Sequence, residues 1–200
     1  MTVSMPSVLE LWRWPVKGMG GESMPSLRLD ARGVGGDRTH AVLREEEDGT
    51  WIRLSERQQP RLAAWNAAYP FNIGANVDPV SPPLALATSP AGRTFVWNDP
   101  RLKHALEDDL GHPIELRRDI AGLQHAERTV LISWGDIDPR TLRSNVHLAG
   151  DDALDVPGIT LEFPGGVRLR VLRPCPRGGA YARVTGSGRI AVQASGAFGR

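Results

Sequence analysis

Apolar and polar residues alternate in short runs along most of this chain, and turn residues separate the runs. The clearest run is Val167–Leu172, where Val167, Leu169 and Val171 alternate with Arg168 and Arg170. A period of two is that of a strand with one buried face. Val8–Trp14 alternates in the same way up to Pro15, and Ser26–Asp30, Thr39–Leu43 and Trp51–Leu54 follow, the last two joined by an acidic tip at Glu45–Gly49. These four are expected to form a meander. Pro60–Trp65 reads as a short turn and strand, and Val77–Pro83 as a proline-rich connector. Leu84–Thr88 and Arg93–Trp97 make a hairpin through Ser89-Pro90-Ala91-Gly92.

One helix is expected, over Pro100–Leu110. Asn98 or Asp99 can cap it, Pro100 suits its first turn, Gly111 its stop, and Leu102, Ala105, Leu106 and Leu110 share a face. A second strand set follows at Ile114–Arg117, Thr129–Ser133, Asn145–Ala149, Ile159–Phe163 and Val167–Leu172. Tyr181–Thr185 and Arg189–Gln193 are expected to close as a hairpin through Gly186-Ser187-Gly188.

Composition adds to this picture at three points. The 22 glycines and 16 prolines among 200 residues favour a mainly β fold with a few short helices. The expected organisation is one domain over residues 1–200, with an N-terminal β-meander lobe over about 1–72 packed on the remainder. A net charge of +1 excludes the broad basic field of a nucleic-acid binder. The single cysteine excludes an intramolecular disulfide framework and fits a reducing compartment. With no membrane-length apolar run and no basic-then-apolar N-terminus, the chain is expected to be cytoplasmic.

That cysteine, Cys175, lies in Arg173-Pro174-Cys175-Pro176-Arg177, directly after the alternating run. The prolines end the strand, so the thiol stands at a strand end between two guanidinium groups. Cationic neighbours favour thiolate, which makes Cys175 a candidate nucleophile, sulfur carrier or soft-metal ligand. The alternative is a small buried apolar residue. Lys17, one of only two lysines, ends Trp14-Pro15-Val16-Lys17 before Gly18, and Arg38 ends Gly33-Val34-Gly35-Gly36-Asp37-Arg38. Cations at strand–glycine junctions can hold a phosphate or another anion; solvated surface cations, with a local Asp37–Arg38 pair, are the alternative. His40, His104, His112, His125 and His147 lack metal-ligand spacing. His125 or His147 beside Cys175 would make a Cys–His pair.

These segments, with Arg143-Ser144-Asn145-Val146 between them, resemble the MOSC (molybdenum cofactor sulfurase C-terminal) superfamily. The resemblance spans about Val8 to Val192. It implies a barrel-like MOSC fold that binds molybdenum cofactor (molybdopterin) or carries sulfur for it. By position, Cys175 would be the metal ligand and catalytic thiol or the sulfur acceptor. Lys17, Arg38 and Arg143 would bind the cofactor's phosphate and pterin edges, Asn145 would be a hydrogen-bond partner, and Arg177 would keep the sulfur electropositive or touch the same anion. Two positions depart from the pattern: Gly18 stands where many relatives have serine, and Gly178 where a second cysteine often follows.

The resemblance implies a molybdenum-dependent oxidoreductase acting on small, for example N-hydroxylated, compounds. The chain has no flavin, haem or iron–sulfur motif, so electrons would come from a separate reductase. Two alternatives remain: a persulfide carrier supplied by a sulfur-donor protein, and a degenerate interaction module without the cofactor. Nucleic acid and membrane are not expected partners.

Overall fold

A computed structural model describes residues 6–71, 74–77, 81–118, 129–150 and 156–199. His125 and residues 78–80 of the expected connector lie outside them. The described residues are mainly β, with two α-helices. In chain order the strands are β1 (Ser7–Arg13), β2 (Glu22–Ser23), β3 (Ser26–Asp30), β4 (Gly33–Val34), β5 (His40–Glu45) and β6 (Trp51–Arg53). Then come β7 (Asn66–Ala68), β8 (Leu86–Thr88), β9 (Thr94–Val96), β10 (Glu115–Arg118), β11 (Val130–Trp134) and β12 (Val146–Ala149). The last five are β13 (Thr160–Glu162), β14 (Arg168–Pro174), β15 (Ala180–Gly186), β16 (Gly188–Ala191) and β17 (Ala197–Gly199). The helices are α1 (Pro100–Leu110) and α2 (Pro139–Leu142).

The chain divides into two compact units. The first is built from Met1–Arg13, Ser23–Gly35 and Gln124–Arg200, the second from Trp14–Glu22 and Gly36–Leu123. In the first, an eight-stranded sheet in the order β17-β13-β14-β15-β11-β12-β1-β2 curls as a half-barrel, with a smaller sheet β16-β3-β4. Val8, Leu11, Ile132, Val146, Leu169 and Ala182 belong to its core. The second unit holds the sheets β10-β5-β6 and β7-β8-β9, with α1. Its core includes Met19, Val42, Trp65, Leu102 and Leu106.

The helix forms where the sequence places it. Asp99 accepts a hydrogen bond from Arg101 N at 2.9 Å, Gly111 adopts φ 79°, and Leu102, Leu106 and Leu110 are buried. The hairpin β8–β9 also forms, with Ala87 opposite Phe95.

Three expected arrangements are corrected. The four N-terminal strands do not make a meander: β1 pairs with β12, β3 with β16 and β4, and of the four only β5 and β6 pair with each other. β1 goes to β12 because that register matches buried apolar positions, Val8 with Leu148 and Leu11 with Val146. β15 and β16 do not form a hairpin either. Gly186 and Gly188 lie against the backbone of Gly166 and Gly165, and the chain passes there from the large sheet to the small one. Finally, Pro60–Ala64 is a 3₁₀ helix with Leu62 buried beneath it, and the strand begins afterwards at Asn66.

Candidate functional site

The six candidate residues fall into two sets, Lys17 and Arg38 in the second unit and Arg143, Asn145, Cys175 and Arg177 in the first. Each set is built around an arginine in the left-handed backbone region. Arg38 has φ 51° and Arg143 φ 60°; among the described non-glycine residues, Gln193 is the one other with positive φ. For a side-chain-bearing residue this conformation costs about 1–2 kcal/mol, and glycine adopts it without that cost.

In the second unit, Trp14–Lys17 runs beside the segment that follows Arg38. Arg38 N donates to Trp14 O at 2.7 Å, His40 N to Pro15 O at 3.1 Å, and Lys17 N to His40 O at 3.0 Å. Asp37 is buried; it accepts from Trp14 N at 2.9 Å and pairs with the Arg38 guanidinium. The local ion pair is therefore present, and it orients Arg38. A chain of hydroxyls braces the turn. His40 Nε2 takes a long contact of 3.5 Å from Ala85 N, which leaves the ring hydrogen on Nδ1, 2.9 Å from Thr39 Oγ1. Thr39 Oγ1 lies 2.6 Å from the Tyr69 hydroxyl, which donates to Gly36 O at 2.9 Å. His40 is fully buried, and desolvation, with Arg118, pushes its pKa down to about 3. Its ring is neutral, as this chain of donors requires.

Lys17 is half-buried. Desolvation lowers its pKa first, followed by Arg53 and Arg38, with Arg57 also contributing and Glu56 opposing. Four cations thus share one region with two carboxylates, Glu56 and the Asp37 that pairs with Arg38, which leaves a positive excess. An excess of like charge in one region favours an anionic ligand. Sequence reasoning missed Arg53 and Arg57, which carry no motif; Arg53 stands opposite Leu43 of β5, and Arg57 lies in the turn after β6. Gly18 lies against this region with φ 90°, and a Cβ there would meet Leu62 Cδ1 and Ser55 Cα at 3.2 Å. The absence of serine follows from this packing.

In the first unit, α2 is capped by Asp138, which accepts from Arg140 N at 2.9 Å, and it ends at left-handed Arg143. Ser144 N then donates to Pro139 O at 2.9 Å. Its hydroxyl lies 2.6 Å from Ser133 Oγ, which lies 2.9 Å from His147 Nδ1. His147 thus binds Ser133, and no bond to Cys175 is formed. Its pKa is lowered by desolvation, against Glu10 and Asp138. Asn145 is fully buried. Its Oδ1 accepts from Leu131 N at 3.3 Å, its Nδ2 donates to Trp12 O at 3.3 Å, and its backbone bonds the same two residues. These bonds join β1, β11 and the start of β12, and they give Asn145 a structural role.

Cys175 opens a tight turn directly after β14: Gly178 N donates to Cys175 O, and Cys175 N to Gly179 O, both at 2.9 Å. The residue is 5% exposed and packs with Leu131, Leu142, Ile137 and Tyr181. Its Sγ lies 3.7 Å from the Tyr181 hydroxyl, and the Arg173 guanidinium stacks over the Tyr181 ring at 4.3 Å. Arg177 Nη2 donates to Leu142 O at 3.4 Å, one residue before Arg143. Leu131 and Leu142 therefore link the neighbourhoods of Cys175, Arg177, Arg143 and Asn145. Burial raises the Tyr181 pKa, the bond to Cys175 adds to this, and the two arginines oppose it. The phenol thus stays protonated at neutral pH. Tyr181 was also missed; it lies opposite Arg173 in the β14–β15 register, a pairing that the sequence does not spell out. Gly178 has φ 99°, and a Cβ there would meet Ile137 Cδ1 at 3.2 Å, which disfavours a second thiol.

No group of three or more metal-binding side chains occurs among the described residues, and no described helix is long and apolar enough to cross a membrane. No curated protein matches the chain. The crystal structure of the YuaD protein from Bacillus subtilis is similar at 15% identity and a TM-score of 0.43, over 96% of this chain and 94% of that one. Residues 5–96 match the family model described as the MOSC N-terminal beta barrel domain.

Proposed function

We propose that this chain is a MOSC-type protein that binds molybdenum cofactor and works as an oxidoreductase on small molecules such as N-hydroxylated compounds, with electrons from a separate protein. The observation that carries the reading is the pair of left-handed arginines. Glycine would relieve the backbone at both positions but would lack the guanidinium, and strained backbone is concentrated at ligand sites. The match of residues 5–96 supports the same family.

Taken by itself, each unit carries donors whose chemistry suits one part of the group. Lys17 and Arg38, with Arg53 and Arg57 beside them, suit an anionic phosphate, and Arg143 and Arg177 suit polar pterin edges. Cys175 supplies the soft sulfur donor that molybdenum favours. When bound, the cofactor supplies two-electron redox chemistry at the metal. Tyr181, neutral and in contact with Sγ, can take the thiol proton's hydrogen bond or donate its own once the sulfur ionises. The apolar wall of Leu131, Leu142 and Ile137 excludes water from that sulfur.

The persulfide-carrier reading draws on the same burial, which would shield a terminal sulfur, and on the lack of space for a resolving thiol at Gly178. Metal and pterin analysis separates the two. Protein purified from cells with ample cofactor is expected to carry molybdenum and pterin, and Cys175→Ser to lose the metal. Protein without either, but with a persistent persulfide on Cys175 after incubation with a cysteine desulfurase, would replace the first reading by the second.

A further inference from the structure

A second charged feature lies on the outer face of the large sheet. In the β14–β15 pairing Arg170 stands directly opposite Arg183, while their neighbours Leu169, Val171, Ala182 and Val184 are buried. Residues opposite each other on antiparallel strands share a face and are about 5 Å apart at Cβ, where like charges repel. Both arginines are exposed, and neither side chain has a hydrogen-bond or ion-pair partner among the described residues. They line a concavity of about 300 Å³ with Gly158, Val171, Leu172 and Thr185. No carboxylate is among the described residues that line it. The register irregularity between Val171 and Arg173 bends β14 next to it, and Gly158 N, bonded to Val171 O at 2.8 Å, fixes the turn at its edge.

From this arrangement we infer that Arg170 and Arg183 form a clamp for a doubly charged oxoanion, the phosphate group of a small-molecule ligand. Two guanidinium forks facing one concavity match the oxygens of a phosphate, and one dianion offsets the repulsion between them. The volume is at the lower end for a small-ligand site. The clamp uses none of the residues assigned to the cofactor, so its fate and that of the cofactor reading are separate.

Amide chemical shifts followed by NMR during titration with inorganic phosphate, at constant ionic strength, test the clamp. Gly158 and Thr185 are expected to shift saturably with phosphate, and acetate is expected to leave them nearly unmoved. Arg170→Gln or Arg183→Gln should weaken phosphate binding at these amides roughly tenfold or more, with the rest of the spectrum preserved. Arg168→Gln, on the same strand but outside the concavity, should change it less than twofold. The clamp is overturned by absent or non-saturating shifts, by an equal response to acetate, by an unchanged response in the two variants, or by an equal loss in Arg168→Gln. Molybdenum and pterin content of the same variants should equal that of the parent chain; a drop there would assign these arginines to the cofactor instead.

Discussion

The turns that hold Arg38 and Arg143 solve one problem in two ways. Both arginines are left-handed, both are followed by a hydroxyl residue, and in both cases that hydroxyl leads to an imidazole Nδ1. Around Arg38 the chain of hydrogen bonds is closed: it runs from His40 through Thr39 and Tyr69 to the carbonyl of Gly36. Around Arg143 it is shorter, and it ends at His147, which is 6% exposed and under the influence of Glu10 and Asp138. A sealed network fixes every proton and holds its turn firmly, but it loses stability when its imidazole must be protonated. A shorter network, whose imidazole has carboxylates that favour its charged form, costs less in acid and braces less. The comparison yields three tests.

The largest effect is expected in acid. The His40 pKa is depressed from 6.5 to about 3, so the unfolded chain binds the proton first. The stability that depends on the neutral ring is complete above about pH 6.5 and is lost as pH falls toward 3. Each pH unit within that window costs about 1.4 kcal/mol, or roughly 3 kcal/mol between pH 7.5 and 4.5. Urea unfolding across this range should show the loss, and His40→Gln should flatten the profile. His147, also depressed, adds in the same direction, and His147→Asn should remove less of the slope. A flat profile in the parent chain would contradict the sealed network.

Tyr69→Phe comes next. It removes the phenol's bond to Gly36 O and one of the two partners of Thr39 Oγ1, which keeps His40 Nδ1, and should cost about 1–2 kcal/mol. Ser144→Ala leaves Ser133 still bonded to His147 and should cost about 1 kcal/mol or less. Thermal unfolding of the two variants side by side ranks the networks, and a larger loss in Ser144→Ala would reverse the comparison.

How much of this was legible in the sequence depended on the range of the interaction. The alternation at Val167–Leu172 and the capped helix Pro100–Leu110 are local signals; the helix stands where it was expected, and the strand runs over Arg168–Pro174, one to two residues later at its ends. The partner of β1 is more than 130 residues away, and no turn between Arg13 and Val146 announces it. Asn145 was identified as a polar residue of interest. Its burial between β1 and β11 follows from pairings that alternation alone does not reveal. Gly18 and Gly178 read as lost functional groups in the sequence. In the folded chain each meets neighbouring atoms at 3.2 Å with a positive φ, and the departures acquire a steric reason. Tyr181 was read only as the start of a strand, and its place beside Cys175 comes from strand register.

The smallest expected change in stability gives the most direct test, because the central claim is that Arg143 keeps a costly backbone for the sake of its side chain. Arg143 sits at the end of α2, where glycine is the usual left-handed residue. Arg143→Gly relieves about 1–2 kcal/mol of strain and adds about 0.5–1 kcal/mol of unfolded-state entropy, so stability should stay within about 1 kcal/mol of the parent. Molybdenum and pterin per purified chain, measured beside the unfolding midpoint, should fall about tenfold while the midpoint holds. A variant that keeps the parent's full cofactor load would show that the arginine is not there to bind it.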